Sequence, residues 1–244
     1  MTADDAEAHG TRPGAATLGS TVAIPQLSLV ALFVTALVTA QVTASKVVPV
    51  SLPVSLPLAG DLITVPAAVF AYAITFFASD CYAELYGKRA AQALVNVAFA
   101  MNFVLLGLVW LAIAAPTSEF SPVAQQPFAE TLGASRGVVV GSLLAYLVSQ
   151  NWDVFVFHRL REETEGRYLW LRNILSTATS QFVDTLIFIT VAFAIFQGFP
   201  PSEVAGLILG QYLFKLALVG LDTPFVYLVV GVIRSRTGLA RRPA

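Results

Sequence analysis

An all-α integral membrane protein of six transmembrane helices, with both termini cytoplasmic, is the fold class this sequence predicts. Three observations carry the prediction. The 244 residues are 57% hydrophobic and only 12% charged, about half the roughly 25% charge of an average soluble domain. The charges are clumped, and the apolar runs between clumps have the roughly 20-residue length that crosses a ~30 Å hydrocarbon core as a helix. The positive charges are also lopsided: with six spans, 11 of the 14 Lys and Arg residues fall on one side, which the positive-inside rule makes the cytoplasm. Too few charges remain to coat a soluble surface, so a soluble enzyme, a nucleic-acid module and a secreted disulfide scaffold are excluded. Cys81 is the single cysteine and can form no internal disulfide.

Residues 1–25 are polar and read as a disordered cytoplasmic tail. Arg12 is the one Lys or Arg before the first apolar run, and the length of that run fits a genuine span over 26–46 better than a cleaved signal peptide. The connection that follows, 47–60, reads VVPVSLPVSLPLAG, with Pro49, Pro53 and Pro57 at every fourth position. Prolines at that spacing break helices, and Val-Ser-Leu alternation favours extended chain. A hairpin capping the outer mouth and an apolar linker resting on the membrane surface both fit. Further spans are expected at 62–82, 91–115, 136–157, 173–197 and 203–233. The last contains Pro224, which predicts a kink or a break. Residues 26–233 thus make one membrane domain, and 234–244 a basic cytoplasmic tail. Ser149-Gln150-Asn151-Trp152-Asp153 and Ser180-Gln181-Phe182-Val183-Asp184 share the pattern S-Q-x-x-D. Adjacent spans run in opposite directions, so the echo reads as similar chemistry rather than a duplicated three-helix unit.

A charge at the bilayer centre costs on the order of 3 kcal/mol, which makes the ionisable residues in and at the ends of spans informative. They are Lys46, Asp80, Glu84, Asp153, Asp184, Lys215 and Asp222. Two cations cannot neutralise five anions pairwise, so some carboxylates are protonated, solvated or kept for a ligand. Helical spacing puts Tyr72, Phe76, Asp80 and Glu84 on one stripe of the second span. Arg172, Ser176, Ser180 and Asp184 share a stripe of the fifth, with Gln181 beside Asp184. Gln211, Lys215 and Asp222 share a face of the sixth. Asp184 and Lys215 lie near midspan; for Asp184 a binding role is favoured over a structural helix–helix bond, and for Lys215 and Asp222 a Lys–Asp pair that locks helices is the structural alternative. Asp80, Glu84 and Asp153 lie nearer cytoplasmic ends, where solvation is the alternative.

The chain has no G-x-x-x-x-G-K-[ST] and no H-E-x-x-H, and its histidines are His9 and His158. Gly133-Ala134-Ser135-Arg136-Gly137 matches G-x-S-x-G formally, but about 23 helical residues at 1.5 Å each separate Ser135 from His158. No catalytic residue, metal ligand or cofactor is expected, and the chain is not expected to be an enzyme.

Several stretches together carry a resemblance. Thr43-Ala44-Ser45-Lys46 ends the first span, and Pro66 and Phe70 open the second. That span closes with Ser79-Asp80-Cys81-Tyr82-Ala83-Glu84-Leu85-Tyr86-Gly87-Lys88-Arg89-Ala90. The fifth runs from Arg172-Asn173 through Ser180-Gln181 to Asp184-Thr185 and Phe188. Over 26–233 the chain resembles the queuosine-precursor transporter family, also filed as vitamin uptake transporters. That family has D-x-x-x-E-x-Y-G-K in its second span and S-Q-x-x-D-T in its fifth. The resemblance implies import of 7-deazaguanine bases, cyano or aminomethyl precursors for tRNA modification, across the cell membrane by a multi-pass protein. It implies no direct nucleic-acid contact. On that basis Asp184 and Glu84 would accept from the base's adjacent N–H and NH₂ donors, and Gln181 and Lys46 would face its carbonyl, with Lys215 and Asn102 as alternative donors. Trp152 or Tyr72 would stack on the ring, and Asp80, Asp153 and Asp222 complete the candidate set. Alternating access, driven by the substrate gradient or by coupled protons, is the expected mechanism. The alternative is a substrate-binding subunit that needs a separate ATP-driven module, for which Ala36–Ala40 and Ala40–Ala44 supply A-x-x-x-A contacts. A homo-oligomer fits as well.

Overall fold

The computed structural model describes residues 24–56, 60–165 and 168–237. The tail over 1–23, the loop cation Arg167 and most of the basic C-terminal tail lie outside the described residues. The chain runs α1 (Ile24–Thr43), β1 (Val47–Leu56), β2 (Gly60–Pro66), α2 (Val69–Tyr86), α3 (Lys88–Ala114), a short α4 (Gln125–Gly133), α5 (Ser135–Glu163) and α6 (Leu169–Ile189). A π-helical turn, Thr190–Ile195, continues α6, and α7 (Pro201–Thr237) ends the fold. Among the described residues, α1, α3, the Gln125–Glu163 stretch and Ile174–Ile195 are long and apolar enough to cross a membrane. The remaining long helices, α2 and α7, carry ionisable residues within their length.

The expected start of the second span needs one correction. The strands β1 and β2 pair antiparallel, with Val47 opposite Pro66 and Ser51 opposite Leu62. The second strand takes 60–66, of which the sequence assigned 62–66 to the second span. Ile63 and Val65 are buried while Leu62 and Thr64 are exposed, the two-residue alternation of a half-buried strand. A short apolar run cannot be told from a helix by hydropathy alone, and here Pro66 closes it as a strand. Ile63, Val65 and Val69 form a small core with Phe214 of α7. At Gly210 the α7 backbone meets the carbonyl of Thr64 so closely that a Cβ has no room. The hairpin is therefore seated on α7 by the absence of a side chain.

α2 begins at Val69 rather than 62 and continues to Tyr86, which puts Asp80 and Glu84 inside its last turns. Gly87 alone separates α2 from α3. Its φ of 93° is open to glycine at little cost, and its N–H donates to the Ala83 carbonyl at 2.8 Å. α5 outruns its expected end at 157, its exposed last turn closed by Arg159–Glu163 at 2.9 Å. Of the kink or break expected at Pro224, the break does not occur: α7 is a single helix of 37 residues with Pro224 inside it.

Two apolar clusters hold the bundle. One joins Ala40, Ala44, Ala68, Ala71 and Ala145 with Phe188, Phe193 and Leu207; its small residues let α1, α2 and α5 approach closely. The other joins Leu29, Phe33 and Leu37 with Ala78, Cys81, Leu85, Leu94, Ala98 and Val230. Elsewhere Phe103, Leu108, Trp110, Phe155 and Leu228 are exposed, an apolar exterior suited to lipid.

Candidate functional site

A cavity of about 190 Å³ touches both clusters, bounded by Phe33 and Leu37 on one side and by Ala145 and Phe188 on the other. Its aromatic wall is Tyr72 and Phe76 of α2, Phe99 of α3 and Tyr146 of α5. Its polar wall is Ser142, Ser149 and Gln150 of α5, Gln181 and Asp184 of α6, and Gln211 and Lys215 of α7. Six helices thus converge on a volume smaller than the ~300–1,000 Å³ that takes drug-sized ligands, which suits a compact planar molecule.

The dominant electrostatic feature crosses from α7 to α6. Lys215 Nζ donates to Asp184 Oδ2 at 2.5 Å, and Ser149 Oγ donates to Asp184 Oδ1 at 3.4 Å. The Lys215 side chain is 6% exposed and that of Asp184 is 24% exposed, so the carboxylate is the member more open to the cavity. Each ion relieves the other's desolvation, which is how two charges persist in an apolar bundle. Nearby, the Tyr72 hydroxyl and Ser142 Oγ lie 3.5 Å apart. Ser142 Oγ also donates to Gln41 Oε1 at 3.5 Å. On the α3 side, Tyr146 stacks on Phe99 with centroids 4.4 Å apart and donates to Asn96 Oδ1 at 2.7 Å.

The two S-Q-x-x-D stretches meet. Ser149 of the first donates to Asp184 of the second, and Ser180 of the second donates to Asp153 of the first at 3.3 Å. Antiparallel neighbours carrying one motif give a reciprocal pair, so the opposed directions that argued against a repeat are what bring the motifs into register.

Of the candidates read from the sequence, Asp184, Gln181, Tyr72 and Lys215 line the cavity. The others lie elsewhere. Lys46 is exposed in the turn between α1 and β1. Trp152 is 40% exposed, on the outer side of α5, near Phe155. Asp153 stands outside the cavity wall, against Ser180. Asp80 and Glu84 border a separate depression with Val226 and Tyr227; one and two turns past Phe76, or about 6 and 12 Å at 1.5 Å per residue, they run beyond the cavity along the same stripe. Glu84 Oε1 instead accepts from Arg234 Nη2 at 2.9 Å. The Asp222 side chain lies outside the described residues, and the partner of Lys215 is Asp184. The sets proposed for the base, Asp184 with Glu84 and Gln181 with Lys46, are therefore split between places. Lys215 holds the midspan position that Lys46 does not. Ser142, Tyr146 and Gln41 were missed because charge was the filter; neutral hydrogen-bonding side chains inside apolar runs were the signal that would have found them. Ser135 and His158 stand near opposite ends of α5, too far apart to work together.

A family model described as "Putative vitamin uptake transporter" matches residues 66–229, more than half of the chain. The chain belongs to this family. As a vitamin uptake transporter family member it has every cavity residue except Phe33 and Leu37 within the matched region. The "Probable queuosine precursor transporter" of Bacillus subtilis (strain 168) is 36% identical over 162 residues, which cover 64% of this chain and 67% of that one. No solved structure matches. In this family member Ala36, Ala40 and Ala44 are buried within its own bundle, so the A-x-x-x-A contacts are internal and present no surface to a separate module.

Proposed function

We propose that the protein is a multi-pass importer of queuosine-precursor bases, 7-cyano- or 7-aminomethyl-7-deazaguanine, in the cell membrane. It works by alternating exposure of the cavity between α1, α2, α3, α5, α6 and α7. The observation that carries this reading is the Asp184–Lys215 pair on the wall of a base-sized cavity, within the region matched by the transporter family. A nucleobase is planar and apolar on its faces and polar at its edges. Tyr72, Phe99 and Tyr146 offer faces for stacking, worth roughly 1–3 kcal/mol per base, while the pair and the amides around it offer polar partners. The relative from Bacillus subtilis, named for queuosine precursors, supports the substrate class.

Six spans follow if α1, α2, α3, α5, α6 with its π turn, and α7 all cross the bilayer. Both ends are then cytoplasmic by the distribution of Lys and Arg, and the hairpin stands at the outer mouth. Residues 26–233 form the transport domain between short tails. Burial of Ala40 and Ala44 favours a carrier that works without an ATP-driven module.

Titration of the purified chain with a panel of 7-deazaguanines tests the substrate class. Saturable binding of the cyano or aminomethyl base, with guanine and adenine bound at least tenfold more weakly, is expected. No binding of any 7-deazaguanine overturns the proposal.

A further inference from the structure

We propose that Gln211 of α7, with Gln181 of α6, reads the hydrogen-bonding edge of the base, and that Gln41 holds the opposite wall in place through Ser142 and Tyr72. The inference rests on the functional reading above and names the residues that set its specificity. Gln211 lines the cavity and is 2% exposed, yet its Oε1 has no hydrogen-bond partner. Gln181 also lines the cavity, and its buried Oε1 is likewise unpartnered. Native bundles rarely leave buried acceptors unpaired, and acceptors on a cavity wall are met by whatever fills the cavity. Two such acceptors on the wall of one small cavity are what a ligand with adjacent donors would satisfy.

The donor edge of a 2-amino-4-oxo base presents a ring N–H beside an NH₂. Asp184 was the expected acceptor for it, and each of its oxygens already takes one donor, Oδ2 from Lys215 and Oδ1 from Ser149. The amides carry no charge, so they can accept from a neutral base without disturbing the ion pair. They would also reject a base that lacks the donor, because their oxygens would stay unsatisfied beneath it. Gln41 is fully buried with its Nε2 unpartnered, and its Oε1 takes the Ser142 hydroxyl that in turn meets Tyr72. It acts as a positioning residue for the Tyr72 ring and does not itself line the cavity.

The test is a binding titration of the full-length chain with 7-cyano-7-deazaguanine and its analogue lacking the 2-amino group. Wild type, Gln211→Met, Gln211→Ala and Gln41→Met are compared, with thermal unfolding of each measured alongside. Wild type is expected to prefer the 2-amino base by at least tenfold. Gln211→Met is expected to lose at least tenfold in affinity for that base and little for the analogue, so that the preference collapses. Gln41→Met should weaken both bases alike and keep the preference. A folding defect lowers the fraction competent to bind both bases and leaves their ratio unchanged, so the ratio isolates recognition; if Gln211→Met does not fold, Gln211→Ala and the wild-type ratio decide. Equal wild-type affinity for the two bases, or an unchanged ratio in the Gln211 variants, overturns the inference while the transporter reading stands. If wild type binds neither base, the transporter reading falls and this inference with it.

Discussion

At the residue scale two ions, Asp184 of α6 and Lys215 of α7, are brought together by the fold. Removing one partner of a buried pair leaves an uncompensated charge, at a cost of about 3–5 kcal/mol. Lys215→Met is therefore expected to lower the thermal unfolding temperature sharply and to abolish uptake. The double change Asp184→Asn with Lys215→Met should recover most of the stability and none of the uptake. Glu84→Gln tests the opposite case. The Glu84 side chain is 50% exposed and that of Arg234 18%; Arg234 keeps its bond to the Glu84 carbonyl, so the loss stays near the roughly 0–1 kcal/mol of an exposed pair. Stability and uptake should both stay near wild type, as measured by unfolding and by initial rates. The midspan positions of Asp184 and Lys215 were legible from spacing alone, since both stand where charge is expensive. Their partnership was not: Asp222 is in the same helix as Lys215, while Asp184 reaches it only through the packing of two helices. Gln211 shared a face with Lys215 in the sequence, but only the fold shows that its acceptor is buried without a partner.

At the scale of elements, the hairpin and the α5–α6 pair make separate predictions. Gly210→Val pushes a side chain into the Thr64 carbonyl, and overpacking of this kind costs about 1–3 kcal/mol. Gly231 on the same helix has open space around it, so Gly231→Ala should be neutral or stabilise by up to about 1 kcal/mol. Thermal unfolding of the two variants side by side separates hairpin seating from general helix effects. For the reciprocal serines, Ser149→Ala and Ser180→Ala should each cost about 0.6 kcal/mol, the average for an interhelical hydrogen bond in a membrane bundle. The sequence showed the two S-Q-x-x-D stretches but could not show that they face each other. It showed the proline spacing of 47–60, yet it misassigned 62–66 because a strand of alternating apolar residues has the same hydropathy as the start of a span. The π-helical turn at Thr190–Ile195 left no sequence signal that was used, since its extra residue per turn is a property of the backbone.

For the whole molecule, orientation and transport are the open quantities. Cys81 is buried and is the one cysteine of the chain, so a Cys81→Ala background accepts single reporters. In it, Asp61→Cys in the hairpin should react with an impermeant thiol reagent added outside intact cells. Arg161→Cys, in the last turn of α5 and on the cytoplasmic side in the proposed orientation, should react only once the membrane is opened. Labelling in the reverse pattern would invert the topology. The helical membrane character was legible from composition and charge clumping, while the clustering of 11 positive residues in alternate connections is what predicts the orientation. The cavity was half legible, because the sequence names polar residues but not which of them share a wall. The most direct measurement is uptake of radiolabelled 7-cyano-7-deazaguanine by liposomes that contain the purified chain and no ATP, comparing wild type with Asp184→Asn. The account predicts saturable uptake by wild type and a rate at least a hundredfold lower for Asp184→Asn. Wild-type rates in Asp184→Asn liposomes would contradict the assignment of the central cavity as the transport site.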